Sequence, residues 1–398
     1  MKSLLGVFGV VACGAAIATL VSCGGGSGSS SGSNSASPPI QSSFTVTALV
    51  SDGAVPAAHT DGNLKNPWGV AFNPKGFAWV ADNGTNVATL YDGNGVPQSL
   101  IVTIPAGKNG SASPTGIVFN GTQSFTVTES GKSGVAAFIF AGEGGTITAW
   151  APAVAPTSAF VMYDDGTGGA VYKGLALAAT NNNNFLYATD FHNNKIDVFN
   201  SAFTKVATPG GFTDPAIPAG FAPFGIQAIG GNLFVTYAMQ DAAKHDNVAG
   251  AGLGVVDVYD TAGNLTQRFA TGSSLNAPWG IAQAPGNFGS MSGAILIGNF
   301  GDGKINAFNP SSGQSMGPLN GPSGSPIVEQ GLWGIAFGND ISNQPSNTLF
   351  FAAGPNAEAD GVYGRIDLNA TPSPGTSTGT STGAGTGTST GGGMGMGM

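Results

Sequence analysis

Asn66-Pro67-Trp68-Gly69-Val70-Ala71 is a phrase that this chain repeats five more times. It returns as Pro114-Thr115-Gly116-Ile117-Val118, Tyr172-Lys173-Gly174-Leu175-Ala176 and Pro223-Phe224-Gly225-Ile226, then as Pro278-Trp279-Gly280-Ile281-Ala282 and Leu332-Trp333-Gly334-Ile335-Ala336. The glycines of successive phrases lie 47, 58, 51, 55 and 54 residues apart. A period near 50 with strand-like content belongs to a β-propeller and not to a helical solenoid. Six phrases predict six blades.

Working outward, each phrase opens a set of strands. A second run follows it, such as Phe77-Ala78-Trp79-Val80-Ala81 or Phe185-Leu186-Tyr187-Ala188-Thr189. A third comes next, as in Lys195-Ile196-Asp197-Val198-Phe199 or Val255-Val256-Asp257-Val258-Tyr259, alternating in period two and ending at turn residues. A weaker fourth run is readable at 99–104, 159–163 and 266–270. The glycine suits an innermost strand, where side chains must be small or absent. The Trp or Phe before it (Trp68, Phe224, Trp279, Trp333) reads as packing between blades, with ligand stacking as the sharper alternative. The last repeat lacks a fourth strand, and Phe44-Thr45-Val46-Thr47-Ala48-Leu49-Val50 precedes the first repeat without belonging to it. Pairing that orphan onto the last blade would close the ring and cover an exposed edge. The expected fold is therefore all-β, a six-bladed propeller over residues 44–369 closed by its N-terminal strand.

Residues 1–22 read as a lipoprotein signal peptide. Lys2 precedes an apolar run from Leu4 to Leu20 that is short for a membrane span. Leu20-Val21-Ser22-Cys23 then matches a bacterial lipobox, in which Cys23 is acylated and becomes the mature N-terminus. An ordinary secretory cleavage site before a cysteine is the plainer reading of the same residues. Acyl chains on Cys23 would hold the protein to a membrane without a spanning helix. Gly24 after the cysteine favours, by resemblance to Gram-negative lipoproteins, an outer-membrane address facing the periplasm or the exterior. Residues 23–43 read as a flexible Gly/Ser tether, and 370–398 as a disordered Thr/Ser/Gly/Met tail.

Composition removes several function classes. The chain has two cysteines, Cys13 in the signal and Cys23 at the lipidation site, so the folded domain has no thiol chemistry. Net charge is −9 with 8% charged residues, and no basic stripe exists to neutralise phosphates, so nucleic acid is not an expected partner. Gly131-Lys132-Ser133-Gly134 lacks the spacing of a nucleophile elbow.

The strand phrase, with second strands ending in Asp and third strands ending in Phe-Asn or Tyr-Asp, resembles NHL-type propellers. More narrowly, Asn66-Pro67-Trp68-Gly69, Ala188-Thr189-Asp190-Phe191-His192 and Gln240-Asp241-Ala242-Ala243-Lys244-His245-Asp246 resemble a family of exported bacterial propellers to which no activity is attached. The resemblance covers 44–369 and implies six blades and export. The chain departs from it in its lipobox and in the lack of a recognisable C-terminal anchor helix. No catalytic residue carries over.

Chemistry is expected where loops from second to third strands open on one face. The second-strand ends deliver Asp82, Glu143, Asp190, Asp241 with Asp246, Asp302, and Glu358 with Asp360 to one rim. The chain's three histidines fall there too, His192 and His245 in such loops and His59 in the loop leading into the first blade. Carboxylates with neutral imidazoles suit a divalent metal such as calcium or zinc, which could polarise a carbonyl or activate water. Against this stands a bland reading: Asp ends strands because its side chain bonds nearby amides. Two functions follow. One is a lipid-anchored binding module for a protein, glycan or small molecule; the other is a metal-dependent hydrolase or lyase, as in distantly similar lactonases and lyases. The cofactor stays open, with a divalent metal such as calcium or zinc as the candidate; the second function would place it at a site shared by His192, His245, Asp190, Asp241 and Asp246.

Overall fold

The computed structural model describes residues 42–369. The signal peptide, Cys23, most of the tether and the tail lie outside the described residues. Among the described residues no helix is long and apolar enough to cross a membrane.

Six antiparallel sheets stand around one axis. Their innermost strands are Pro67–Phe72, Pro114–Phe119, Tyr172–Thr180, Phe221–Ile229, Pro278–Gln283 and Leu332–Phe337, one from each repeated phrase. Each inner strand touches the next, and the sixth returns to the first. In blade 1 the order outward is Pro67–Phe72, Ala78–Asp82, Val87–Tyr91 and Val102–Thr103. The outer strand is the weak one, down to two residues here and at Lys205–Val206 in blade 3. Blade 2 carries an extra hairpin, Thr126–Glu129 with Lys132–Val135, between its first and second strands. That insertion accounts for the widest glycine spacing.

The ring closes as the orphan strand requires. Phe44–Ser51 pairs antiparallel with Val362–Leu368, from Phe44 opposite Leu368 to Ser51 opposite Val362. At the far end Asn369 donates its backbone N–H to the Ser43 carbonyl at 2.9 Å. The Thr45 hydroxyl donates to Asn369 Oδ1 at 2.7 Å. Both ends of the described domain thus leave side by side. They leave from the face where inner strands finish, opposite the face where they begin.

The repeated glycine has a more specific cause than crowding at the axis. A Cβ on Gly69 would stand 2.6 Å from the Thr115 carbonyl oxygen of the next blade. Gly334 meets the Trp68 backbone in the same way, closing the circuit. Neighbouring inner strands approach backbone to backbone, and no side chain fits between them. Apolar clusters then fill each of the six interfaces between blades, such as Trp79 and Leu90 against Ile117 and Phe138. A buried Leu, Ile or Phe in such a cluster stabilises by about 1.5–3 kcal/mol.

The aromatic residues before the glycines pack between blades as expected, but at the axis and not along the blade faces. They turn to the axis and pack on one another across the ring. Trp68 stacks on Trp333 with ring centres 3.4 Å apart, and meets Trp279 edge-on at 5.7 Å. Phe224, opposite Trp68 across the ring, meets it edge-on at 6.4 Å and meets Trp333 at 5.9 Å. These buried rings plug one end of the axial channel.

Candidate functional site

Two of the six positions in the plug are not aromatic: Thr115 in blade 2 and Lys173 in blade 3. Lys173 is 1% exposed. Its backbone lies in an inner strand, so its stem is forced into the axial cluster while the ammonium reaches the mouth above. There it pairs with Glu143 from blade 2 and, at 3.4 Å, with Asp246 from blade 4. The same ammonium stands 5.1 Å from the Trp68 ring centre and 5.9 Å from that of Phe191. A cation over an aromatic face is attracted by the ring's quadrupole.

The network extends to two further blades. Glu143 accepts from Asn83 Nδ2 at 2.8 Å, and Glu358 of blade 6 accepts from Asn66 Nδ2 at 2.9 Å. Asn66 Oδ1 in turn accepts the Trp333 indole N–H at 3.0 Å, tying the polar layer to the plug. The Trp68 indole N–H is buried beneath this layer and has no acceptor among the described residues. Glu358 is placed by a loop in which Asn356, Ala357 and Glu358 all hold left-handed backbone, with φ of 55°, 54° and 67°. Three such residues in a row store strain, which characteristically gathers at functional loops.

On the blade 4 side, Asp241 shapes its own loop by accepting the backbone N–H groups of His245 at 2.9 Å and Asp246 at 3.3 Å. That turn folds the loop inward and presents a dyad: His245 Nδ1 lies 2.8 Å from Asp246 Oδ1. The hydrogen bond to His245 draws the Asp246 carboxyl down to about 2, helped by Lys173 and opposed by burial. Asp246 in turn raises the imidazole, with burial and Lys173 opposing it. Burial raises Glu358, with the nearby Glu143 and Asp246 charges adding to it and Asn66 and Lys173 countering it.

Of the rim residues read from the sequence, Glu143, His245, Asp246 and Glu358 gather around Lys173. The others do not, and the common site expected for His192, His245, Asp190, Asp241 and Asp246 is corrected. Asp190 is buried, accepting from the Val171 N–H and Asn193 and pairing with Lys195 at 3.4 Å. His192 packs beside Gly169 and is not among the three residues whose ligand atoms gather at His245. Asp82 is enclosed within blade 1, where it accepts the Thr89 hydroxyl at 2.8 Å; burial and the Asp61 charge raise it well above the usual range. Asp302 pairs with Lys304 at 3.1 Å and Asp360 with Lys65 at 3.4 Å. His59 is not in a loop at all: it lies on His59–Thr60, a short strand paired parallel to Phe44–Ser51 on the outer edge of blade 6. The bland reading, an Asp bonding nearby backbone amides, fits Asp190, Asp241 and Asp302.

Lys173 lies outside the rim residues to which the sequence points. Its signal was present, because Tyr172-Lys173-Gly174 is the repeat in which a charge replaces the residue before glycine.

As metal ligands, Glu143, His245 and Asp246 place one atom each within 4.8 Å of one another. Oxygen and nitrogen donors suit a divalent cation in type. Yet the Lys173 ammonium already stands against both carboxylates, so a metal must displace it.

Uncharacterized protein R648 of Acanthamoeba polyphaga mimivirus is 34% identical over 332 residues, spanning 81% of this chain and 80% of that one. The chain belongs to its family. A second member, uncharacterized protein L690 of the same virus, is 32% identical over 332 residues, with 81% and 85% covered. No family model matches the chain. Among solved structures, virginiamycin B lyase from Staphylococcus aureus is similar at a TM-score of 0.48 and 16% identity, over 82% of this chain and all of that one. The PQQ-bound aldose sugar dehydrogenase from Streptomyces coelicolor is similar at 0.46 and 14%, over 84% of this chain and all of that one.

Proposed function

We propose that this chain is a binding propeller whose ligand is held at the charged mouth above the aromatic plug. The observation that carries the reading is convergence: side chains from five blades meet around one buried lysine at the axis. The exposed His245 and Asp246 and the half-buried Glu358 are the groups a polar ligand would meet. The Lys173 ammonium already stands against Glu143 and Asp246, which favours recognition over a standing demand for metal. Propeller scaffolds serve both binding and catalysis, so the site and not the fold must decide. A thermal-shift screen of the full chain against neutral glycans, polyamines and short peptides tests this. A hit should vanish in a Glu143→Gln, His245→Ala variant, and a hit that persists places the ligand elsewhere.

A second reading, a metal-dependent hydrolase or lyase, is favoured by the His245–Asp246 dyad beside Glu143. Its sign would be stoichiometric divalent metal in the purified full chain, lost on His245→Ala. Metal-free protein counts against it.

The export reading rests on Leu20-Val21-Ser22-Cys23 at the end of the apolar run. We propose a lipid-anchored, envelope-facing bacterial protein of the exported-propeller type. Cys23→Ser should move it from the membrane to the soluble fraction, and membrane association that survives the change argues for another anchor.

A further inference from the structure

The far end of the axial channel is a second site. Below the plug the channel narrows to a waist of about 40 Å³ ringed by Gly69, Gly116, Gly174, Gly280 and Gly334. Below the waist it opens into a cavity of about 410 Å³ on the face where the inner strands finish. All six blades contribute to its wall. Phe72, Phe119, Leu177 and Ile229 supply apolar surface, while Gln227, Gln283 and the strand-edge backbone make slightly more than half of the exposed wall polar. Its volume lies within the range of about 300–1,000 Å³ typical of small-molecule sites.

Three features define the occupant. First, no lining residue carries an ionisable side chain, so a charged ligand entering the cavity would lose hydration without gaining a counter-charge. Second, each inner strand is the terminal strand of its sheet, bonded on one side alone. Six backbone edges therefore face the axis, offering N–H and C=O groups in addition to the two amides. Third, the plug of Trp68, Trp279, Trp333 and Phe224 shuts the other end, which makes this a blind pocket and not a conduit.

We propose that this cavity binds one small, uncharged molecule that carries both apolar surface and hydrogen-bonding groups, independently of the charged mouth. Because the two sites are separated by the plug, the reading does not depend on what the mouth binds.

The test uses N-phenyl-1-naphthylamine, a neutral apolar probe with one N–H, titrated by fluorescence into the full chain. One-to-one saturable enhancement is expected. Ala228→Phe narrows the cavity and should weaken binding by about tenfold, near 1.4 kcal/mol. Gln227→Leu with Gln283→Leu alters exposed positions and should weaken it about threefold, even if Ala228→Phe fails to fold. The anionic relative 8-anilino-1-naphthalenesulfonate, the same skeleton with a sulfonate, should bind at least about tenfold more weakly. Glu143→Gln and His245→Ala should change nothing. Absence of saturable binding overturns the proposal. So does binding by both cavity variants equal to the parent's, or equal affinity for the anionic probe.

Discussion

The ammonium of Lys173 lies 5.1 Å from the ring centre of Trp68, which makes one lysine both the top of an apolar plug and the hub of a charged mouth. Lys173→Met keeps the stem and removes the charge. Glu143, with its side chain 13% exposed, then loses its partner, and stability should fall by up to about 3 kcal/mol in urea titration. The vacated carboxylates should also bind calcium at least about tenfold more tightly by calorimetry. A variant as stable as the parent and indifferent to calcium would remove Lys173 from the centre of this site.

His245 should titrate above its ordinary 6.5, and Asp246→Asn should bring it back to that value or below. The imidazole ring protons, followed by NMR across pH, give the midpoint directly. The linked effect on stability has a defined sign. With the folded pKa of His245 raised, its contribution is complete below about pH 6.5 and fades as pH climbs through the folded value. Asp246, lowered from 3.8 to about 2, contributes fully above pH 3.8 and loses that only as pH falls toward 2. Glu358 acts oppositely, since a raised carboxyl costs stability once pH passes 4.5. An unchanged His245 midpoint in Asp246→Asn would contradict the dyad.

Ala357 sits at φ 54° between two other left-handed residues. Ala357→Gly removes the Cβ penalty there and should stabilise by about 0.5–1 kcal/mol, less what the unfolded chain gains in freedom. The urea midpoint checks it. A lower midpoint would mean that the loop is not strained at this residue.

Removing residues 44–51 strips the outer strand from blade 6 and leaves Val362–Leu368 as an open edge. The truncated protein should aggregate or unfold at markedly lower urea, as size-exclusion chromatography and denaturation would show. Monomeric protein of parental stability would mean that closure adds little.

Architecture was legible because it repeats. One glycine per turn of the chain, demanded by backbone contact with the next blade, marks each inner strand, and an unpaired strand at one end answers a missing one at the other. The site was legible only in part. Second-strand ends lie on one face, and that much follows from alternation, but distance from the axis does not. It depends on which loops fold inward, as Asp241 makes its own do, and which carboxylates are spent on local amides, as Asp190 is. Residues 120–137 also hid a hairpin inside what reads as a long connection. The lysine at the hub sits in a core strand, where a search for rim residues does not look.

Blade 6 is the one blade whose outer strand comes from the opposite end of the described domain, and its two ends are pinned together by Ser43, Thr45 and Asn369. A pull applied between those ends would open the strand pair like a zipper, one hydrogen bond at a time from Phe44 inward, rather than shearing all of them at once. Tension carried through both ends would therefore open the ring at modest force. Tension carried through one end would be borne by the rest of the blade and leave the circle intact.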